Sequence, residues 1–130
     1  IKEASGNIGQ MDEIIKNKPE GFDVISGDDG ITFPLITLGA VGVISVLGNA
    51  FPAEFSKMNR LALEGNYAEA LTIHHQFTEI INLLFADGNP AGAKAMLNIM
   101  GMCENKLRLP LVPAREATCE KLRAEWEALK

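Results

Sequence analysis

Apolar residues recur with helical spacing at Ile8, Met11, Ile14 and Ile15, and Lys18-Pro19-Glu20-Gly21 closes the run, so one short helix is expected from about Asn7. Phe22 to Ser26 then reads as a strand, with Gly27-Asp28-Asp29-Gly30 as the turn that ends it. A second short helix is expected over Thr32 to Leu38, where Pro34 is tolerable only in the first turn. Gly42-Val43-Ile44-Ser45-Val46 is β-branched and does not alternate, the pattern of a parallel strand covered on both faces. Pro52 begins a third helix, to about Glu64, which Gly65 stops.

After Gly65 the rhythm changes. Asn66 and Glu69 read as a capping box for a long amphipathic helix carrying Leu71, Phe77, Ile80, Ile81, Leu84 and Phe85. Asn89 and Pro90 read as a second cap with proline at the first helical position, leading through Met96 and Met100 to a stop at Gly101. Leu107 to Pro113 is a proline-bounded, extended connector, and a last helix over Arg115 to Leu129 places Leu122, Trp126 and Leu129 on one face.

Strand, turn and helix in close succession indicate consecutive βα units with parallel strands. A closed eight-unit barrel needs about 250 residues. The expected fold class is therefore α/β: the last units of a TIM (β/α)8 barrel over residues 1–65, then a three-helix, α-helical C-terminal domain over residues 66–130. Two strands make no stable sheet alone, and Ile1 rather than Met stands first, so an earlier half is expected to complete the barrel.

Composition narrows the chemistry. With a net charge of −5 and no basic cluster interleaved with aromatics, the chain has no field to attract a phosphate backbone, and nucleic acid is not an expected partner. The longest apolar stretch, Ile31 to Ala53, is broken by Pro34, Gly39, Gly42, Gly48 and Pro52, so no membrane span is expected. No signal peptide is visible. Cys103 and Cys119 form no Cys-x-x-Cys pair and read as buried thiols in a reducing cytoplasm.

Lys2 is the candidate nucleophile. A lysine attacks a carbonyl only when neutral, and burial among apolar strands favours that form, which is why imine-forming lysines sit at strand ends inside barrels. Most lysines are solvated surface charges, so Lys2 alone is weak evidence. Its neighbours add to it. Ile1-Lys2-Glu3-Ala4-Ser5-Gly6-Asn7 resembles the Schiff-base strand of the dihydrodipicolinate synthase family, where lysine is followed by Glu-Ala-Ser/Thr-Gly-Asn. Ser26-Gly27-Asp28-Asp29 and Gly42 to Val46 resemble the ends of that family's seventh and eighth barrel strands, and Asn89-Pro90 and Leu107-Arg108-Leu109-Pro110 its helical tail.

The resemblance implies a class I lyase in which pyruvate forms an imine with Lys2, becomes an enamine, and attacks L-aspartate 4-semialdehyde. It implies that the Ile44 carbonyl lies beside pyruvate and that Gly27 and Asp28 line the aldehyde side. It also implies a homo-oligomer, usually a homotetramer. The family's proton-relay tyrosine and threonines and its aldehyde-guiding arginine have no match, since Tyr67 opens a tail helix, so the chain alone is expected to be silent. Related lyases that cleave N-acetylneuraminate or keto-deoxy sugar acids keep the same imine with another aldehyde. From a different class comes a non-catalytic helical assembly module in which Lys2 is incidental.

No metal or cofactor is expected. Asp28 and Asp29 lack a third ligand and suit a turn and cap. His74 and His75 are adjacent on a helix, about 100° apart, and read as surface or interface residues. Met96, Met100 and Met102 read as helix packing, with a subunit contact as the alternative.

Overall fold

The computed structural model describes residues 1–130 and contains two short strands and six helices: β1 (Lys2–Glu3), α1 (Ile8–Asn17), β2 (Ile25–Ser26), α2 (Thr32–Leu38), α3 (Pro52–Leu63), α4 (Tyr67–Phe85), α5 (Ala91–Ile99) and α6 (Glu116–Ala128). The turn between β1 and α1 is built by its own side chains. Glu3 accepts hydrogen bonds from the Ser5 N–H at 3.1 Å and the Ser5 hydroxyl at 2.8 Å, and the Ser5 hydroxyl oxygen accepts from the Asn7 N–H. Asn7 caps α1 by accepting from the Gln10 N–H. The residues that follow Lys2 are thus the device that ends its strand and starts a helix.

β1 and β2 pair in parallel, Lys2 opposite Ile25 and Glu3 opposite Ser26. The expected strand over residues 22–26 is shorter than its sequence pattern, and the expected strand over residues 42–46 is only a bridge between Ser26 and Val43. That segment runs parallel to β2, with the Ser26 N–H donating to the Gly42 carbonyl and the Ile44 N–H to the Ser26 carbonyl. It ends because the Val46 and Leu47 amides turn to the Asp29 carboxylate and the chain enters a 3-10 turn over Leu47–Asn49. The order β1, β2, residues 41–44, with α1 and α2 as crossovers, is that of successive βα units.

Helix termini explain two further departures. Asn66 has φ −80° and ψ 59°, outside the extended region that lets a cap side chain reach back, and it makes no capping bond to α4. Pro90 occupies the cap of α5 rather than its first turn, with no side-chain cap. Gly39, Gly65 and Gly101 follow α2, α3 and α5 at positive φ, as helix stops require.

Most apolar burial lies in one core that runs through α3, α4, α5 and α6, with Phe55, Met58, Phe77, Leu84, Met96 and Leu122. Phe51 stacks between Phe77 and Trp126, ring centroids 4.9 Å and 5.8 Å away. This core crosses residue 65 without a break, so the helical tail packs directly on the last βα unit. A smaller core of Met11, Leu35 and Ala40 sits between α1 and α2. Cys119 is buried, and burial pushes its thiol above the ordinary range. Cys103, expected to be buried, is only half-buried, because it lies in the irregular segment after α5. No helix is long and apolar enough to cross a membrane.

Candidate active site

Three of the four sequence-derived site residues converge. Lys2 and Gly27 from the paired strand ends and Ile44 from the adjacent segment line one cleft of about 620 Å³, closed on its far side by Phe85, Asn89 and Lys94 of the helical tail. Asp28 lines an adjoining cleft of about 620 Å³, which shares Gly27 and Phe85 with the first. Both clefts open at the C-terminal ends of the parallel strands, where barrel sites are built.

Gly27 sets the lysine's path. A Cβ at this position would lie 2.7 Å from both the Lys2 Cε and the Ala4 Cβ, closer than carbon atoms tolerate. The methylene stem of Lys2 therefore runs over a surface that only glycine leaves free. The burial expected for Lys2 is not provided within the chain: the residue is exposed, because β1 has a partner on one side only. Ile44 is exposed as well, and its carbonyl accepts no backbone hydrogen bond, which leaves an acceptor free at the cleft wall.

The two adjacent aspartates have separate roles. Asp28 caps the 3-10 turn at residues 29–31 by accepting from the Gly30 N–H at 2.9 Å, while its backbone carbonyl accepts from the Ser26 and Thr32 hydroxyls. Asp29 is 1% exposed and accepts from the Val46 and Leu47 amides at 3.0 Å and 2.8 Å. Sequence reasoning gave a site role to Asp28 alone and read Asp29 only as part of a turn and cap, since only the topology shows which carboxylate faces inward. It also missed Phe85, Asn89 and Lys94, whose approach to Lys2 depends on tertiary packing.

Remaining candidates fall outside the clefts. His74 is half-buried against Phe33, ring centroids 5.7 Å apart, and His75 is exposed, so His74 is more enclosed than a surface residue. Tyr67 is exposed and stacks edgewise on Phe33, away from Lys2. Met96 is buried in the core, Met100 packs against it, and Met102 is exposed beyond the end of α5. No three His, Cys, Asp or Glu side chains are placed to hold a metal ion.

Comparison with known proteins gives a consistent result. The model of the dihydrodipicolinate synthetase family matches residues 1–129. A 4-hydroxy-tetrahydrodipicolinate synthase of Phocaeicola vulgatus is 77% identical over 130 residues, all of this chain and 44% of that protein. The chain therefore spans less than half the length of that relative. The crystal structure of dihydrodipicolinate synthase from Aquifex aeolicus superposes with a TM-score of 0.94 at 39% identity, covering 98% of this chain and 44% of that one. A chloride-inhibited dihydrodipicolinate synthase from Acinetobacter baumannii, complexed with pyruvate, superposes with a TM-score of 0.93 at 33% identity, covering 98% and 44%.

Proposed function

Because the chain belongs to the dihydrodipicolinate synthetase family, we propose that it carries the lysine-bearing part of a 4-hydroxy-tetrahydrodipicolinate synthase, a lyase that condenses pyruvate with L-aspartate 4-semialdehyde in lysine and diaminopimelate biosynthesis. The Lys2 amine adds to the ketone carbon of pyruvate and, with loss of water, forms an imine. The protonated imine withdraws electrons from the methyl group, which loses a proton and becomes the enamine carbon nucleophile. That carbon attacks the aldehyde, whose oxygen takes up a proton. Attack by the partner's own amino group on the imine carbon then releases Lys2. The protonated imine is the electron sink, so the chemistry calls for no metal or cofactor.

The observation that carries this reading is the convergence of Lys2, Gly27 and Ile44 on one cleft. There the free Ile44 carbonyl faces pyruvate, while Gly27, shared by both clefts, and Asp28 of the adjoining cleft border the aldehyde. The βα units of residues 1–65 are the last part of a (β/α)8 barrel, and residues 66–130 its helical C-terminal domain. A groove of about 400 Å³ between Val41, Val43, Phe55 and Leu63 supports this, since an exposed apolar strand edge is where a further barrel unit would pack. The missing units would also desolvate Lys2 and supply the proton relay, so the 130-residue chain is inactive alone. Two thiols without a disulfide suit the cytoplasm. A homotetramer is the expected assembly, with exposed Met102, Leu109 and Val112 as apolar surface for a second copy.

Replacement of the nucleophile tests the chemistry. In the whole enzyme, Lys2→Ala should lower kcat for the condensation by about 10³-fold or more, the scale on which loss of a covalent nucleophile is felt. Turnover within a few-fold of wild type would exclude Lys2 as the imine former.

A further inference from the structure

We infer that Asp29 is a positioning residue for the pyruvate side of the cleft, which rests on the imine chemistry proposed for Lys2. Its carboxyl group is 1% exposed, and a polar group held out of water persists only when hydrogen bonds offset the lost hydration. Those bonds come from a distant part of the chain. Asp29 Oδ2 accepts from the Val46 and Leu47 amides, 17 and 18 residues further on, at 3.0 Å and 2.8 Å. Capping of its own turn does not explain the burial, because Asp28 already accepts from the Gly30 N–H.

The clamp acts on one short segment. At one end the Ile44 N–H donates to the Ser26 carbonyl at 2.9 Å, and at the other the amides of Val46 and Leu47 end on Asp29. The Gly48 N–H donates to the Ser45 hydroxyl at 2.7 Å, which stiffens the turn between them. The Ile44 carbonyl lies between these anchors, and Ile44, Ser45 and Val46 all line the cleft with Lys2. Loss of the Asp29 anchor would free the side of the segment that follows the carbonyl, leaving Lys2 and its strand untouched.

Asp29 Oδ1 is buried without a partner, which makes the conservative substitution informative. In Asp29→Asn one oxygen can still accept from the two amides, but as the weaker acceptor of a neutral amide, and a new NH2 group is placed where Oδ1 had no partner. Steady-state kinetics of the whole enzyme carrying D29N, with each substrate varied in turn, test the inference. The KM for pyruvate should rise about tenfold with the KM for the aldehyde unchanged, since misplacement of a positioning group by less than 1 Å has effects of this order. A purely structural role would reduce the folded fraction and hence kcat, leaving both KM values at wild type. That result, or an equal rise in both, overturns the inference. If D29N does not accumulate as folded protein, D29E, which keeps the charge but moves it by a methylene, is judged by the same two outcomes. A wild-type enzyme that forms no borohydride-reducible adduct with pyruvate would remove the Lys2 reading and this inference together. A wild type that forms the adduct, beside a variant with unchanged KM values, would remove Asp29 alone.

Discussion

At Lys2 the reactive group and its support come from different places. The amine belongs to β1, the space for its stem is left by Gly27 after β2, and the turn that follows is held by Glu3, Ser5 and Asn7. The Lys-Glu-Ala-Ser-Gly-Asn run is therefore one reactive residue followed by turn and cap chemistry. His74 offers a test at the same scale. Burial, and then the neighbouring His75, lower its pKa from 6.5, so the fold holds the ring neutral. The unfolded chain takes up this proton first, as pH falls through about 6.5, and the unfolded state gains relative to the folded one until the folded ring titrates too. Stability contributed by the neutral ring is complete above that range and lost on acidification. We expect the urea midpoint of the whole enzyme to fall between about pH 7.5 and pH 5, and the fall to be shallower in His74→Gln. Equal slopes for the two proteins would assign the acid sensitivity elsewhere.

Among the elements, α4 and α5 approach tightly at Gly92. A Cβ on Gly92 would lie 2.1 Å from the Leu84 carbonyl oxygen, a backbone atom that cannot rotate away. Gly92→Ala should therefore lower the unfolding free energy by about 3 kcal/mol or more, at the upper end of overpacking costs, read from urea denaturation. An unchanged midpoint would mean that the two helices can part without cost. Elements with period 3.6 were legible from sequence: α2 runs over Thr32–Leu38 as its pattern indicates, and α1, α3 and α6 fall within a residue or two. Strand positions and their parallel pairing were legible too, but strand extents were not, because residues 42–46 carry a β-branched pattern whose pairing depends on neighbours outside the segment. Two expected caps do not form, for a local reason: Asn66 and Asn89 have cap-like identities, but Asn66 makes no capping bond and Pro90 rather than Asn89 occupies the cap of α5, because packing settles the backbone angles there. Of the candidate site, the strand-end residues Lys2, Gly27, Asp28 and Ile44 were legible through their motifs. The tail residues Phe85, Asn89 and Lys94 were not, since no local pattern encodes a contact made across the core.

On the scale of the whole molecule, three parallel segments, an uninterrupted helical core and a cleft at the strand ends form a unit that spans 44% of its Phocaeicola vulgatus relative. The groove beside Val41 and Val43 and the exposure of Lys2 belong together in the proposed function: the same neighbouring units that would cover the edge would exclude water from the amine. Lysine reactivity is then a property of the completed barrel rather than of β1. The most direct measurement is reduction of the intact enzyme with borohydride in the presence and absence of pyruvate, followed by peptide mass mapping. We expect one reduced pyruvate adduct per chain, on Lys2, formed only when pyruvate is present. An adduct on another lysine, or none under conditions where the enzyme turns over, would contradict the central role given to Lys2.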